Sequence, residues 1–260
     1  MPLYVSTLLV VVGGYVFFVL FAWLAADGIL FQPRRTSYAT LPGLVKLRAP
    51  DGVSVCIDHQ PSPAARYTIL YFHGNAEDLG DLQDHFAALR AHGFSAVGLD
   101  YRGYGMSDGT PNEANVYADA ALAFRYVVDE LHVPPERLIL YGRSLGGGPA
   151  IDIATREPVA GLVLDSCFIS AFRVITGVPL IPGDRFPNLA KISRVRCPVL
   201  VMHGVDDRTV PFSHGEKLFA AAPEPKRFFP IAGAGHNNLV DVATSRYWDA
   251  LTDFANSLQK

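Results

Sequence analysis

Residues 138–148 constrain the fold of this chain more than any other stretch. They read Leu-Ile-Leu-Tyr-Gly-Arg-Ser-Leu-Gly-Gly-Gly, so an apolar, strand-forming run leads directly into a G-x-S-x-G pattern centred on Ser144. The apolar residues that follow recur at helical spacing: Ala150, Ile151, Ile153 and Ala154. This stretch therefore predicts a buried strand, a tight turn and a helix, in that order.

Such a turn suits a nucleophilic serine. A serine hydroxyl is a weak nucleophile unless the backbone pushes its oxygen toward a base. Gly142 and Gly146 leave room for that turn, and the helix start after Ser144 aims free backbone N–H groups at whatever the serine attacks. The alternative is a glycine-rich turn whose serine only caps the helix, and partners elsewhere in the chain have to exclude it.

Composition limits the class of protein. A chain of 260 residues, half of them hydrophobic, can bury a full core as one domain. The net charge is -3 and the Lys and Arg residues form no basic stripe, which argues against a nucleic-acid-binding protein. Cys56, Cys167 and Cys197 lie far apart without C-x-x-C spacing, so we expect buried thiols rather than disulfides.

The N-terminal stretch is a clear compositional break. Residues 3–26 contain no charged side chain, and as a helix they would be about 36 Å long, enough to cross a hydrocarbon core of about 30 Å. We expect residues 1–31 to form a membrane-anchoring helix, with Tyr4 and Trp23 near the interfaces. A signal peptide would want a preceding basic residue, a shorter apolar core and an A-x-A site. A buried core helix is disfavoured by hydrophobicity on all sides.

The flanking residues suggest how this anchor is used. Arg34 and Arg35 follow it, so the positive-inside bias favours a cytoplasmic location for the rest of the chain. Residues 13–14, Gly-Gly, offer a small surface through which two anchors could pair as a homodimer. Residues 32–43 are polar and contain proline, which is typical of a linker, and residues 44–260 then form the folded domain.

The rest of the chain alternates strand and helix patterns. We expect an α/β domain with a mostly parallel, doubly wound, eight-stranded sheet flanked by helices. Short apolar runs predict strands at 44–49, 53–58, 67–72, 95–100, 137–141, 159–164, 198–202 and 226–231. Helical patterns cover 78–92, 112–131, 145–155, 213–221 and 238–258. Ligands in such sheets lie outside the carboxyl ends of the strands.

Two of these strand ends carry the partners that a serine nucleophile needs. The loop after 198–202 contains Asp206 and Asp207, and the loop after 226–231 contains His236. A histidine can take the serine proton while a carboxylate fixes its tautomer and stabilises the imidazolium. In chain order these residues are a serine, an aspartate and a histidine. Asp165, after an earlier strand, is a further candidate for the acid.

Two other strand ends are expected to support this chemistry. After 67–72 the chain reads His-Gly-Asn, and the N–H of Asn75 together with that of Leu145 could hold a negative oxygen. We expect His73 to brace this loop rather than to transfer protons. We treat Asp100, at the next strand end, as a scaffold residue that accepts hydrogen bonds from the backbone or from Arg102.

Taken together, these motifs resemble the α/β-hydrolase superfamily. They are Phe-His-Gly-Asn at 72–75, Asp-Tyr-Arg-Gly-Tyr-Gly at 100–105, the G-x-S-x-G at 142–146, His-Gly at 203–204 with the segment 207–211, and Gly-His at 235–236. Within it they look most like the small, membrane-anchored serine esterase branch that includes depalmitoylase-like proteins. The resemblance implies a catalytic triad of Ser144, His236 and Asp207.

The substrate is least constrained by the sequence. Only about thirty residues separate the strand ending near Leu164 from the one starting at Pro198, so we expect a minimal cap. Apolar residues in this segment either pack on the helices or form a short lid over an acyl pocket, among them Phe168, Phe172 and Leu180.

The predicted reaction is hydrolysis of carboxylic esters, or thioesters, of short to medium acyl chains, with no metal and no organic cofactor. The substrate is then a small-molecule acyl ester or thioester. A catalytically silent binding module of the same fold is one alternative. A peptidase or amidase with the same triad is another.

Overall fold

An eight-stranded sheet lies at the centre of the computed structural model, which describes residues 2–258. The strand order is β1-β2-β4-β3-β5-β6-β7-β8. Strand β2 pairs antiparallel with both β1 and β4, and the strands from β4 to β8 in this order pair parallel. The strands are β1 (Leu44–Arg48), β2 (Ser54–Gln60), β3 (Tyr67–Phe72), β4 (Phe94–Asp100), β5 (Leu138–Arg143), β6 (Gly161–Asp165), β7 (Val199–Gly204) and β8 (Lys226–Ile231). The predicted mostly parallel sheet is confirmed.

Hydrophobic residues on both faces of the sheet form two separate cores. Along β3, Leu70 and Phe72 belong to one core while Ile69 and Tyr71 belong to the other, as expected when successive side chains point to opposite faces. Central strands covered on both sides read as nearly continuous apolar runs, which is why the sequence located them well. The three cysteines are free and buried in these cores, as predicted.

Within residues 2–258, one α-helix precedes β1, α-helices connect the successive strands from β3 to β8, and two α-helices follow β8. They are α1 (Leu3–Leu30), α2 (Gln83–Ala91), α3 (Glu113–Arg125), α4 (Gly147–Ala154), α5 (Ala171–Thr176), α6 (Asn188–Ile192), α7 (Ser213–Ala221), α8 (Leu239–Ala243) and α9 (Ser245–Ser257). A π-helical turn extends α3 over Tyr126–Glu130.

Two predicted helices differ from those observed. The helix expected from residue 78 begins only at Gln83, because the Asp78 carboxylate accepts hydrogen bonds from the N–H groups of Gly80 and Asp81 and holds this segment in turns. The helix expected over 238–258 is divided into α8 and α9. The break lies at Thr244, whose φ of 52° is outside the helical range.

The stretch expected as a linker, residues 32–43, is mostly exposed but contacts the folded domain at several points. Tyr38 is buried, and its hydroxyl donates to Asp100 Oδ2 at 2.5 Å. The backbone N–H of Ser37 donates to Asp78 Oδ2 at 2.7 Å. Phe31, directly before this stretch, is also buried and meets the ring of Phe186 edge-on. The exit from α1 is thereby held in place on the domain.

The segment between β6 and β7 contains only two short helices, α5 and α6, and no large cap. We refer to residues 168–187 of this segment as the lid segment. Both of its ends contain buried residues, among them Phe168 and Phe186, and Phe186 packs edge-on against Tyr117 of α3. Its middle is irregular and apolar, and Ile175 is 80% exposed. This segment lies beside α1, as described below.

Candidate active site

Ser144 occupies a sharp turn between β5 and α4. Its φ of 49° lies in the left-handed region, an unusual conformation for a residue other than glycine. The turn is so tight that a Cβ at Gly142 would collide with the backbone of Gly146. A Cβ at Gly146 would in turn collide with the carbonyl of Phe72. The glycines of the motif are therefore required by close backbone approach, and the predicted strand, turn and helix are present.

His236 lies between Ser144 and Asp207. Its Nε2 is 3.0 Å from Ser144 Oγ, and its Nδ1 is 2.7 Å from Asp207 Oδ2. In the tautomer whose Nδ1 donates to the carboxylate, Nε2 is free to accept the serine proton. Three side chains that are far apart in the sequence thus meet at the carboxyl ends of β5, β7 and β8.

Asp207 is buried but well supplied with donors. Its Oδ1 accepts from the backbone N–H groups of Thr209 and Val210, both at 2.8 Å. His203 Nε2 lies 3.3 Å from Oδ2. Burial raises the pKa of this carboxyl, but the hydrogen bonds from His203, His236 and the Val210 amide outweigh it and hold the pKa well below its usual range. Asp207 is therefore ionised whenever His236 needs a counter-charge.

The other two candidate acids lie elsewhere. Asp206, the residue before Asp207, is exposed to solvent. Asp165 is buried and accepts from the hydroxyls of Tyr141, at 2.7 Å, and Tyr247, at 2.9 Å. Its oxygens are thus engaged in a tyrosine cluster. Of the three aspartates, the structure brings Asp207 into contact with His236.

The two predicted oxyanion donors, Asn75 and Leu145, line the same cavity as Ser144. The Leu145 N–H lies in the first helical turn after Ser144, where backbone N–H groups have no carbonyl one turn earlier to bond. Asn75 is held by contacts that the sequence analysis missed. Its Oδ1 accepts from the Tyr104 hydroxyl at 2.7 Å and from the Gln32 N–H at 2.9 Å. Both donors are distant in sequence, so no local pattern pointed to them.

His73 has the environment of a structural residue. It is fully buried, its Nδ1 donates to the carbonyl of Gly74 at 2.7 Å, and its Nε2 lies 3.3 Å from Asp100. Of the two donors expected for Asp100, the backbone is the one observed, because its Oδ1 accepts from the Leu79 N–H at 3.0 Å. Arg102 instead binds the carboxylate of Asp119 through Nε and Nη2, because that carboxylate faces it from α3.

An apolar cavity of about 350 Å³ opens beside Ser144. Phe168 and Phe172 line it, as predicted. The prediction for Leu180 is corrected, because its side chain is 49% exposed and Ile181 lines the cavity in its place. Side chains in an irregular loop have no period from which their direction could be read. No sequence pattern indicated that α1 forms one wall of this cavity. The residues of α1 that line it are Phe18, Phe21, Ala22, Ala26, Ile29 and Leu30.

The residues described around this cavity are uncharged. Across residues 2–258, no group of three or more His, Cys, Asp or Glu side chains is placed to hold a metal ion. A reaction without metal or organic cofactor remains a prediction. The described side chains offer a nucleophile, Ser144, a base, His236, and a carboxylate, Asp207, each in contact with the next.

Comparisons with known proteins identify the family of this chain. The sequence pattern of a hydrolase family described as serine aminopeptidase, S33, matches residues 63–180. The α/β-hydrolase domain-containing protein aho-3 of Caenorhabditis elegans is 41% identical over 192 residues, covering 71% of this chain and 56% of that protein. The human α/β-hydrolase domain-containing protein 17C is 38% identical over 207 residues, covering 76% of this chain and 61% of that protein. The chain belongs to the α/β-hydrolase superfamily.

Solved structures support the same fold. The esterase Pf2001 of Pyrococcus furiosus superposes on this α/β-hydrolase with a TM-score of 0.72 at 15% identity, covering 87% of this chain and 98% of that one. A monoacylglycerol lipase of Paleococcus ferrophilus gives a TM-score of 0.64 at 20% identity, covering 79% and 99%. The predicted fold and the resemblance to the depalmitoylase-like branch are confirmed. The chain spans less than two thirds of the length of the two curated relatives above.

Proposed function

We propose that this α/β-hydrolase is a serine hydrolase that cleaves carboxylic esters, or thioesters, of short to medium acyl chains. The observation that carries the proposal is the continuous contact from Asp207 through His236 to Ser144 at the edge of an apolar cavity. A serine, a base and an ionised acid in line are what nucleophilic acyl transfer requires.

The reaction would proceed through an acyl-enzyme. Ser144 Oγ attacks the acyl carbonyl carbon while His236 Nε2 takes the hydroxyl proton. The carbonyl oxygen becomes negative and is held by the backbone N–H groups of Asn75 and Leu145. His236 then gives its proton to the departing alcohol or thiol. A water molecule, deprotonated by His236, then attacks the carbonyl carbon of the acyl-enzyme. The bond from this carbon to Ser144 Oγ breaks, His236 returns the proton to Oγ, and the acid leaves, while Asp207 stabilises the imidazolium in both halves.

The cavity supports an acyl group as the part of the substrate that is bound. Its volume, about 350 Å³, lies at the lower end of the range typical of small-molecule sites, about 300–1,000 Å³. Aromatic and aliphatic side chains dominate its lining, among them Phe168 and Phe172. Apolar walls stabilise methylene groups by removing them from water. A short to medium chain would fill this space.

We also propose that α1 anchors the protein in a membrane with the catalytic domain on the cytoplasmic side. α1 is 28 residues long and apolar enough to span a bilayer. Arg34 and Arg35 follow it, which supports this orientation. Among the described residues outside the helix's own backbone, none lies within 4 Å of the position that a Cβ would take at Gly13 or Gly14, so a second copy of the helix could pack there.

The peptidase alternative draws on the description of the matching family as a serine aminopeptidase. An enzyme that selects a free amino terminus needs an acidic group to pair with that charge. None of the described residues that line the cavity is acidic, which favours the esterase. The binding-module alternative predicts no turnover at all.

The test is active-site labelling with a fluorophosphonate probe. We expect the probe to label the full-length protein and to spare Ser144→Ala, whose ester turnover should fall by several orders of magnitude. Ser166→Ala, a buried serine one strand away, is the matched control and should label like the wild type. Equal labelling of wild type and Ser144→Ala would remove the nucleophile from the proposal.

A further inference from the structure

The N-terminal helix contacts the lid segment along much of its length. The Tyr15 hydroxyl donates to the carbonyl of Leu180 at 2.9 Å, and Trp23 Nε1 donates to the carbonyl of Pro182 at 2.9 Å. The Arg185 guanidinium lies 5.1 Å from the centre of the Trp23 ring. These contacts hold α1 beside the cavity that contains Ser144.

We infer that α1 is part of the substrate site, and that its C-terminal half closes the acyl pocket on the side that faces the lipid. This inference rests on the proposed esterase function and names its substrate class: acyl esters whose chains reside in the bilayer. Phe18, Phe21 and Ala22 line the cavity from α1, opposite Phe168 and Phe172 of the lid segment. An acyl chain attached to Ser144 would therefore lie between a membrane helix and the lid.

The length of α1 supports this location. The helix from Leu3 to Trp23 is about 30 Å long, the thickness of a hydrocarbon core. The charged residues Asp27 and Arg185, 3.8 Å apart, lie just beyond Trp23 and suit the boundary with water. Tyr15 is then about 12 Å inside that boundary along the helix axis. The part of the lid that accepts its hydrogen bond must lie inside the hydrocarbon as well.

The exposed surface of the lid segment fits such an environment. Ile175, Val178 and Leu180 are 80%, 51% and 49% exposed, an unfavourable arrangement in water and a favourable one in lipid. Two of the carbonyls that enter with them, those of Leu180 and Pro182, are paired because Tyr15 and Trp23 donate to them. An unpaired carbonyl in hydrocarbon would cost several kcal/mol.

The exit of α1 also reaches the catalytic loop. The N–H of Gln32, two residues after the end of α1, donates to Oδ1 of Asn75. The backbone N–H of Asn75 is one of the two proposed oxyanion donors. The membrane helix is thus connected to both the acyl wall and the reacting end of the site.

The test measures acyl-chain preference with full-length protein in phosphatidylcholine vesicles. The readout is the ratio of kcat/KM for an octanoyl ester to that for an acetyl ester. Ala22→Phe would fill the pocket from the helix side, so we expect the ratio to fall by about tenfold or more. Leu24→Phe adds a ring on an 87% exposed position outside the cavity and should leave the ratio unchanged.

A second pair of variants tests the opposite change. Phe21→Ala enlarges the pocket and should raise the ratio for decanoyl over octanoyl esters severalfold. Phe17→Ala, one turn earlier and outside the cavity, is its control. If both lining variants match their controls, α1 is an anchor only and the inference is overturned.

A measurement that needs no turnover separates this inference from the proposed function. A diazirine derivative of decanoic acid, activated by light, should crosslink to peptides from both α1 and the lid segment, and Ala22→Phe should reduce the yield while Leu24→Phe should not. If this crosslinking pattern appears but no ester is hydrolysed, the proposed esterase function is wrong and the inference that α1 lines the acyl pocket is supported. Equal crosslinking in all variants would overturn the pocket.

Discussion

His236 and His73 each face an aspartate at the carboxyl edge of the sheet, at distances of 2.7 Å and 3.3 Å. The two pairs differ in what meets the second ring nitrogen. For His236 it is the Ser144 hydroxyl, whereas for His73 it is the neighbouring carbonyl of Gly74. A histidine whose second nitrogen already donates to the backbone cannot accept a substrate or nucleophile proton there.

The two carboxylates differ as well. Donors hold the pKa of Asp207 well below its usual range, whereas burial raises the pKa of Asp100 despite its contacts with His73 and Tyr38. Asp207 therefore provides a permanent negative charge. Asp100 accepts from the Tyr38 hydroxyl and the Leu79 N–H and joins three segments of the fold. The same two residue types thus form a catalytic pair in one place and a structural pair in the other.

Substituting each histidine by glutamine should give the largest difference between the catalytic pair and the structural pair. We expect His236→Gln to lower kcat by about 10⁴-fold or more while the unfolding temperature stays close to that of the wild type. His73→Gln should destabilise the protein by about 1–3 kcal/mol, because it disturbs a fully buried hydrogen-bonded group. Ester kinetics and thermal unfolding measure both. A large loss of kcat in folded His73→Gln would make the two pairs equivalent and contradict the comparison.

The aspartates give the next largest effect. Asp207→Asn should lower kcat by about 10⁴-fold, because the amide no longer stabilises the imidazolium or its tautomer. Asp165→Asn is the matched control, since it is equally buried but engages Tyr141 and Tyr247. Its kcat should stay within about tenfold of wild type, with the cost appearing in stability. The reverse order in a kinetic assay would make Asp165 the acid.

Two neighbouring tyrosines test the support around each pair. Tyr104→Phe removes the hydroxyl that holds Asn75, so we expect kcat to fall about tenfold with little change in KM, as for a lost transition-state interaction. Tyr101→Phe removes a hydrogen bond to the His73 carbonyl and should leave kcat unchanged. Kinetics at saturating and limiting ester distinguish them. A KM effect in Tyr104→Phe would assign that tyrosine to binding instead.

The smallest effect is a difference in pH dependence. Asp207 has a folded pKa below its unfolded value of about 3.9, so its contribution to stability is lost as the pH falls. Asp100 has a raised pKa, so its contribution is lost as the pH rises. On acidification from about pH 6 to pH 3, Asp207→Asn should lose less in unfolding temperature than wild type and Asp100→Asn should lose more, each by a few degrees. If the unfolding temperature of all three proteins fell equally with pH, the lowered pKa of Asp207 and the raised pKa of Asp100 would be contradicted.

The sheet and the identity of the reacting residues were largely predictable. The buried strands are nearly continuous apolar runs, and the carboxyl ends of parallel strands converge, so Ser144 and His236 could be expected to meet. The choice between Asp206 and Asp207 depends on which side of one turn faces the sheet. That turn is fixed by the amides of Thr209 and Val210, and the sequence pattern alone left both candidates open.

What could not be predicted depends on long-range contact. The α1 sequence is uniformly apolar, so no stripe of polar residues showed which side packs on the domain. The hydrogen bonds from Tyr104 and Gln32 to Asn75 join segments far apart in the chain. The sequence places Leu180 in the pocket, whereas its side chain is 49% exposed. An irregular loop has no periodicity from which the direction of a side chain could be predicted.

Mass spectrometry of the acylated residue tests most directly whether Ser144 is the nucleophile that His236 activates. His236→Gln incubated with an activated octanoyl ester should acylate slowly and hydrolyse the intermediate more slowly still, because the base that activates water is missing. We expect an octanoyl adduct on the peptide that contains Ser144, and its absence in the double variant that also carries Ser144→Ala. An adduct on another residue, or the same adduct in both proteins, would contradict the claim that Ser144 and His236 form the working pair.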